Sequence, residues 1–239
     1  MPGLHRVAHR GYSAVAPENT LPALAAGVLA GATFIEFDVR TSADGVPVVI
    51  HDRTVDRTTD GTGAVWELTL EEIAQLDAGS WFSPAYPGLR VPLLSEVLDL
   101  LRPKEAELLL EIKPPATTAQ IEVILAGVDP RRTVVQSFDP DIIKRVGEVV
   151  PEGRRGLLRH GFDDDQVTVA KELGLEYCNP SLSAVLEDPG TVAELRDHGV
   201  GVMPWTANDP QQWPALVEAG VAGLITDHTG TLTGWSAAA

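Results

Sequence analysis

The chain has 239 residues, enough for one large α/β domain, and its 44% hydrophobic and 22% charged content is an ordinary globular balance that excludes wholesale disorder. Its 34 acidic and 18 basic side chains give a net charge of −16, which argues against nucleic acid and membrane surfaces as partners. The single cysteine, Cys178, excludes an intrachain disulfide framework and reads as a small core residue.

The start, Met1-Pro2-Gly3-Leu4-His5-Arg6, lacks a basic region followed by a long apolar stretch, so no export signal is expected. The longest apolar-rich stretch, residues 21–35, is broken by Pro22, Gly27 and Gly31 and falls short of the roughly 20 residues that a membrane span needs. A soluble, cytoplasmic protein is expected.

From there, β-rich apolar runs alternate with helical patterns. Strands are predicted at residues 6–9, 33–39, 46–51, 107–112, 133–138, 156–159, 175–178, 200–206 and 223–226. Helices are predicted at 20–30, 95–101, 117–126, 140–149, 164–173, 191–198 and 210–219. Asn19 can cap the first helix and Gly31 can end it. One connection is too short for a parallel crossover: Thr41-Ser42-Ala43-Asp44-Gly45, with its Asp-Gly turn signal, predicts an antiparallel hairpin. Centring that turn near Ala43 and Asp44 sets Asp38 opposite Val49 and Glu36 opposite His51. With the returning strand set aside, eight strands remain, the number of a parallel (β/α)₈ barrel. Residues 52–93 break the rhythm. They carry Gly61-Thr62-Gly63, three prolines and a helical stretch at 70–76 introduced by a Thr69/Glu72 capping box. This segment reads as a small insertion packed by Trp66, Leu68, Leu76, Trp81 and Phe82. The chain as a whole, residues 1–239, reads as one domain, with a short Ala-rich tail at 237–239.

Chemistry-bearing side chains gather at the predicted strand ends. His9 and Arg10 end the first strand; an imidazole there can move protons and a guanidinium can fork onto phosphate, or the pair can be a satisfied histidine and a surface arginine. Glu36 and Asp38 share one face of the second strand, about 7 Å apart by backbone rise. If that face is the interior, two such acids call for a cation, and an all-oxygen donor set suits Mg²⁺, Mn²⁺ or Ca²⁺; parity alone leaves the alternative that they face solvent. His51-Asp52 ends the hairpin strand, and Asp52 can orient the ring or begin the loop. Glu111 and Lys113 share a face at the end of the fourth strand, as a salt bridge or as a metal ligand and a phosphate contact. Phe138 and Trp205 end later strands, where an aromatic can wall a pocket or fill the core. Asp227 reads as a loop or cap residue. Tyr177-Cys178-Asn179-Pro180 matches no assignable pattern.

Together His9-Arg10-Gly11 with Pro17-Glu18-Asn19-Thr20, Glu36 with Asp38, Asp44-Gly45, His51-Asp52, Glu111-Ile112-Lys113, Ser137-Phe138, Trp205-Thr206 and Ile225-Thr226-Asp227 resemble the glycerophosphodiester phosphodiesterase family, in the family's order, over about residues 5–227. The resemblance implies a distorted (β/α)₈ TIM barrel of the α/β class with an early β-hairpin and a small insertion. It implies a divalent metal, Mg²⁺, Ca²⁺ or Mn²⁺, on Glu36, Asp38 and Glu111, and His9 and His51 as the acid–base pair, with His51 preferred as leaving-group acid and His9 as base. Arg10 and Lys113 would hold phosphate, and Phe138 and Trp205 would line the alcohol side. The implied substrate is a small glycerophosphodiester, split to sn-glycerol 3-phosphate and an alcohol. Two alternatives stand beside it: a phospholipase-like enzyme acting on lysophospholipid, and a non-catalytic barrel that binds a phosphodiester.

Overall fold

Strands and helices alternate through almost all of the computed structural model, which describes residues 3–238. Met1, Pro2 and Ala239, the outer ends of the expected leaderless start and Ala-rich tail, lie outside the described residues. The strands are β1 (His5–Ala8), β2 (Phe34–Thr41), β3 (Pro47–Val49), β4 (Glu107–Ile112), β5 (Thr133–Ser137), β6 (Arg154–Arg159), β7 (Tyr177–Pro180), β8 (Gly201–Val202) and β9 (Gly223–Thr226). The helices are α1 (Leu21–Leu29), α2 (Leu70–Ile73), α3 (Leu94–Leu101), α4 (Thr118–Leu125), α5 (Pro140–Val149), α6 (Gln166–Leu173), α7 (Leu182–Glu187), α8 (Pro189–Asp197), α9 (Trp213–Glu218) and α10 (Thr229–Ala238). Sequence reading did not find α7 and α10. Both are short or poorly amphipathic, and Ala237 and Ala238 of the Ala-rich tail lie in the last turn of α10.

The sheet runs β8-β7-β6-β5-β4-β2-β1-β9, all parallel, with β3 hanging antiparallel on β2. Between its ends the circle closes by single backbone bonds: Ala222 N–H to Val202 O at 2.8 Å, Ile225 N–H to Pro204 O at 3.1 Å and Ala207 N–H to Ile225 O at 2.8 Å. The strand predicted at 200–206 is regular only over Gly201–Val202, because Pro204 has no N–H to give a ladder. The result is a nearly closed eight-stranded parallel barrel, as expected.

Side-chain alternation assigns the faces. Phe34, Leu109, Val134, Tyr177, Met203 and Ile225 fill the barrel interior with Val7. Ile35, Phe37, Val39, Leu108, Leu110 and Ile112 point outward against α1, α3 and α4 in a separate cluster. With period 2 along β2 and β4, Glu36, Asp38 and Glu111 therefore continue the inward column above Phe34 and Leu109. The parity that the sequence left open is settled: the acids face in.

The hairpin register differs from expectation by one residue. Val39 pairs with Val49 and Arg40 with Val48, and Ile50 N–H donates to Asp38 O at 3.0 Å. The turn is shifted because Ser42 closes it: its hydroxyl accepts from Val46 N–H and donates to Asp44. Residues 52–93 carry a small core of their own, with Val55, Val65, Ile73, Ala78 and Val91 packed under Val48 and Ile50. The Thr69/Glu72 capping box forms as expected. Trp66 and Trp81, expected to pack, are 41% and 39% exposed; aliphatic side chains do that work instead. Tyr86 donates to Val15 O at 3.0 Å and ties the segment to the loop after β1.

That loop presses on α1. Gly11 has φ +83°, and a Cβ there would lie 2.4 Å from Ala23 C and 2.7 Å from Leu24 N, both backbone atoms. Gly11→Ala is expected to destabilise by at least about 2 kcal/mol, because neither the left-handed backbone nor the helix backbone can yield cheaply. Gly45→Ala, at the same φ with nothing within 4 Å, should cost only the conformational part, about 1 kcal/mol. Thermal melting of the two variants checks this; equal losses would refute the steric account.

Candidate active site

The loop after β1 and the ends of β2, β3 and β4 deliver the polar groups to one end of the barrel. Catalytic sites of such barrels lie at the C-terminal ends of the strands. Ligand oxygens of Glu36, Asp38 and Glu111 lie within 4.8 Å of one another, and all three residues are buried. Lys113 Nζ sits 3.0 Å from Asp38 Oδ1 and 2.6 Å from Glu111 Oε1. The Arg10 main-chain N–H donates to Glu36 Oε2 at 2.7 Å, and its guanidinium lies 3.5 Å from Asp38 Oδ2. Three buried acids thus face two cations.

The charges fall unevenly. Burial raises Asp38, but Lys113, Arg10 and His51 outweigh it and hold that carboxyl well below the usual range. Burial, with the charges of Asp38 and Glu111, pushes Glu36 well above its ordinary value. Burial and Asp38 push Glu111 up against the pull of Lys113. Glu36 therefore lacks the compensating cation that Asp38 has. A compact, buried, all-oxygen donor set with surplus negative charge fits a hard divalent cation.

Both histidines are held from behind. His9 Nδ1 lies 2.6 Å from Asp227 Oδ1, and His51 Nδ1 lies 2.6 Å from Asp52 Oδ1. A carboxylate accepting from Nδ1–H fixes the tautomer and leaves Nε2 free for proton transfer. Asp227 is itself fixed by the Ser13 hydroxyl at 2.9 Å and Asn208 Nδ2 at 2.6 Å. It lies in the loop between β9 and α10, as expected, and there it is the partner of His9, 218 positions away, which spacing cannot reveal. Burial lowers the His51 pKa below the usual imidazole range, with Asp38 opposing.

The cap predicted at Asn19 is corrected. The cap of α1 is Thr20, whose side chain makes no capping bond. Asn19 instead grips Asp38 twice, donating from Nδ2 to Oδ2 at 2.8 Å and accepting from the Asp38 N–H at 3.1 Å. Arg10 and Asn19 are the non-glycine residues with positive φ among the described residues, and both turn toward these acids. Arg57 bridges Asp52 and Glu18, and Glu18 in turn holds Arg10. Arg40 donates to His51 O and Pro114 O, locking β3 to the loop that follows Lys113. Glu18 lies in the sequence pattern quoted above, but nothing local marks Arg57 or Arg40.

A cavity of about 320 Å³ brings His9, Arg10, Glu36, His51, Glu111 and Lys113 to one wall and Phe138, Leu158, His160, Trp205 and Ile225 to another, with Gln136 beside Glu111. Phe138 stacks on His160 with centroids 5.0 Å apart, and Trp205 meets both rings edge-on. His160 carried no signal in the sequence.

The sequence profile of the glycerophosphoryl diester phosphodiesterase family matches residues 9–231. The chain belongs to that family. A glycerophosphodiester phosphodiesterase of Caldanaerobacter subterraneus subsp. tengcongensis is 35% identical over 95% of this chain and 95% of its own length. One from Bacillus subtilis is 32% identical over 93% of this chain and 83% of its own length. Among solved structures, an Oleispira antarctica phosphodiesterase in complex with the product sn-glycerol-3-phosphate superposes with a TM-score of 0.90 at 30% identity, covering 96% of this chain and 95% of that one. The Agrobacterium tumefaciens glycerophosphodiester phosphodiesterase gives 0.84 at 31% identity, covering 97% and 99%. The family members thus share the whole barrel with this chain. Among the described residues, no helix is long and apolar enough to cross a membrane.

Proposed function

We propose that this chain hydrolyses small glycerophosphodiesters to sn-glycerol 3-phosphate and an alcohol, acting as one barrel domain on a diffusible substrate. The observation that carries the reading is the meeting, in one cavity, of two carboxylate-backed imidazoles with three buried acids and two cations. The product bound by the Oleispira relative supports the same product here.

Glu36, Asp38 and Glu111 would hold Mg²⁺, Ca²⁺ or Mn²⁺, which when bound polarises a phosphoryl oxygen and offsets the charge of the phosphodiester. Arg10 and Lys113 orient the phosphate from the same wall. One imidazole takes the proton from the attacking oxygen, the bond from phosphorus to the alcohol oxygen breaks, and the other imidazole protonates that oxygen. In the assignment carried from the sequence, His9 is the base and His51 the acid. Burial lowers the His51 pKa, which works against its holding a proton as the acid in that order, while Asp38 and Asp52 work for it. Phe138 and Trp205 wall the side opposite the charges, where the leaving alcohol would lie. A cavity of about 320 Å³ is at the small end of ligand sites and suits a headgroup diester better than a long-chain lipid.

Incubation of the purified protein with each metal and a panel of glycerophosphodiesters should release glycerol 3-phosphate. Release only from lysophospholipid vesicles would favour the phospholipase reading, and binding without turnover would favour the non-catalytic one.

Arg57→Ala is expected to reduce turnover about fivefold. The ion pairs it makes are half exposed, and such contacts are worth about 1 kcal/mol. The melting temperature should move little, and unchanged turnover would show that Asp52 orients His51 unaided.

A further inference from the structure

Gln136 lines the cavity yet takes no part in the chemistry just described. It stands on β5, 1% exposed, with its Cα paired to that of Glu111 on β4. The orientation of its amide follows from a chain of hydrogen bonds that begins at a main-chain group. Met203 N–H can only donate, and it donates to Asn179 Oδ1 at 3.2 Å. The other end of that amide is therefore Nδ2, which donates to Gln136 Oε1 at 2.8 Å. Gln136 Nε2 is left as the free end. It has no hydrogen-bond partner among the described residues, and it is not among the sealed, unpartnered polar atoms of the interior. Its two N–H groups therefore open onto the cavity that the residue lines.

The surroundings keep this amide in place. Asn179 is fully buried on β7, and its own carbonyl accepts from Trp205 Nε1 at 2.9 Å, so one residue braces both Gln136 and an aromatic of the opposite wall. Gly156 on β6 leaves the room: a Cβ there would lie 3.3 Å from Gln136 Cβ and 3.7 Å from Asn179 Nδ2. A donor held in one direction on the cavity wall meets solvent when the site is empty and is set to exchange it for a ligand oxygen.

We infer that Gln136 Nε2 donates a hydrogen bond to an oxygen of the glycerol phosphate unit, and that Asn179 is the positioning residue that turns this donor into the cavity. The inference rests on the function proposed above. It also gives a role to Asn179 in the stretch 177–180 that the sequence left unread. A neutral donor in this position adds a directed bond beside Glu111 without adding charge to a cluster already crowded with it.

The test measures sn-glycerol 3-phosphate as a product inhibitor and as a directly titrated ligand. Gln136→Met is expected to weaken product binding and raise KM roughly 10- to 100-fold, the worth of a hydrogen bond to a charged acceptor. Asn179→Asp can still accept from Met203 N–H but can no longer donate, so Gln136 rotates and presents Oε1 to the ligand. It should match the loss in Gln136→Met and add nothing in the double variant, since it acts through Gln136. Asn179→Ala, which introduces no buried charge and leaves Gln136 free to rotate, should fold where Asn179→Asp does not and show a smaller loss of the same kind. A merely structural role would lower the melting temperature while the folded fraction kept its product affinity. Inorganic phosphate is the second probe. A parallel loss places the bond on a phosphoryl oxygen, and undiminished phosphate affinity places it on a glycerol hydroxyl. Product affinity of Gln136→Met within twofold of wild type overturns the inference. A wild-type protein that releases no glycerol 3-phosphate from any diester overturns the functional reading instead, and is seen before any variant is made.

Discussion

His9→Ala and His51→Ala are each expected to lower kcat by roughly 10²–10⁴, the usual contribution of a positioned proton-transfer group. KM should change much less, because neither ring is needed to hold the phosphate. The carboxylates behind the rings supply a graded control. Asp227→Asn and Asp52→Asn keep both imidazoles in the cavity but replace an acceptor with an amide that can donate, which disfavours the tautomer with Nε2 free. Their losses should be substantial yet smaller than those of the alanine variants. The two losses should be comparable, since both carboxylates are pinned by further donors, Asp227 by Ser13 and Asn208 and Asp52 by Arg57 on both oxygens. Steady-state kinetics on a soluble diester reads all four. Wild-type turnover in either alanine variant would remove that histidine from the mechanism.

The difference between what the sequence carried and what only the fold shows is one of distance. Alternation along residues 33–39 and 107–112 placed Glu36 with Asp38 and Glu111 with Lys113, because a strand of period 2 is a local rule. The direction of that face was not local. It emerged when Phe34 and Leu109 were seen inside the barrel with Ile35 and Leu110 outside. His51 was expected near the acids for a partly mistaken reason, since the hairpin register is shifted by one residue. It reaches the cavity because the chain leaves β3 there and Arg40 holds its carbonyl. The pairings of Asp227 with His9, Arg57 with Asp52 and Asn179 with Gln136 were beyond reach. Each acts on a partner in another element, and nothing in the flanking residues announces it. Asn19 shows the opposite hazard: a valid local signal, the helix cap, was overridden by a tertiary partner, Asp38.

Replacing an acid of the metal-binding cluster should be as damaging as removing a histidine, and it can be read without turnover. Glu111→Gln and Asp38→Asn preserve shape but remove a charged oxygen ligand. Each is expected to lower activity roughly 10³-fold, the scale of several kcal/mol that a Lewis-acid cation supplies. Asp38→Asn should be the worse folded of the two, because Lys113, Arg10 and Asn19 all converge on that carboxylate and two buried cations would lose a partner. Chelation should abolish wild-type activity and re-addition restore it; full activity with no metal retained would remove the role of the three acids. The metal-free protein offers a second reading. Glu111 is raised by burial and by Asp38 from its ordinary 4.5 to about 7, and Glu36 is raised in the same direction. A raised carboxyl pKa means that the folded state binds more protons than the unfolded one between those values. Stability from Glu111 is therefore full below about pH 4.5 and is lost as pH rises through about 7, and Glu36 adds a loss of the same sign. Asp38, shifted the other way, contributes at every pH above its unfolded value near 3.8 and does not cancel that slope. Melting temperature without metal should thus fall across pH 5–8, and saturating divalent cation should flatten the fall, because ligation requires the ionised forms. The same protons should be released on binding, so the titration heat near pH 7 should depend on the buffer's ionisation enthalpy. A heat independent of buffer, together with a pH-independent melting temperature, would mean that the acids are already ionised and compensated within the protein, with Lys113 and Arg10 as their permanent partners.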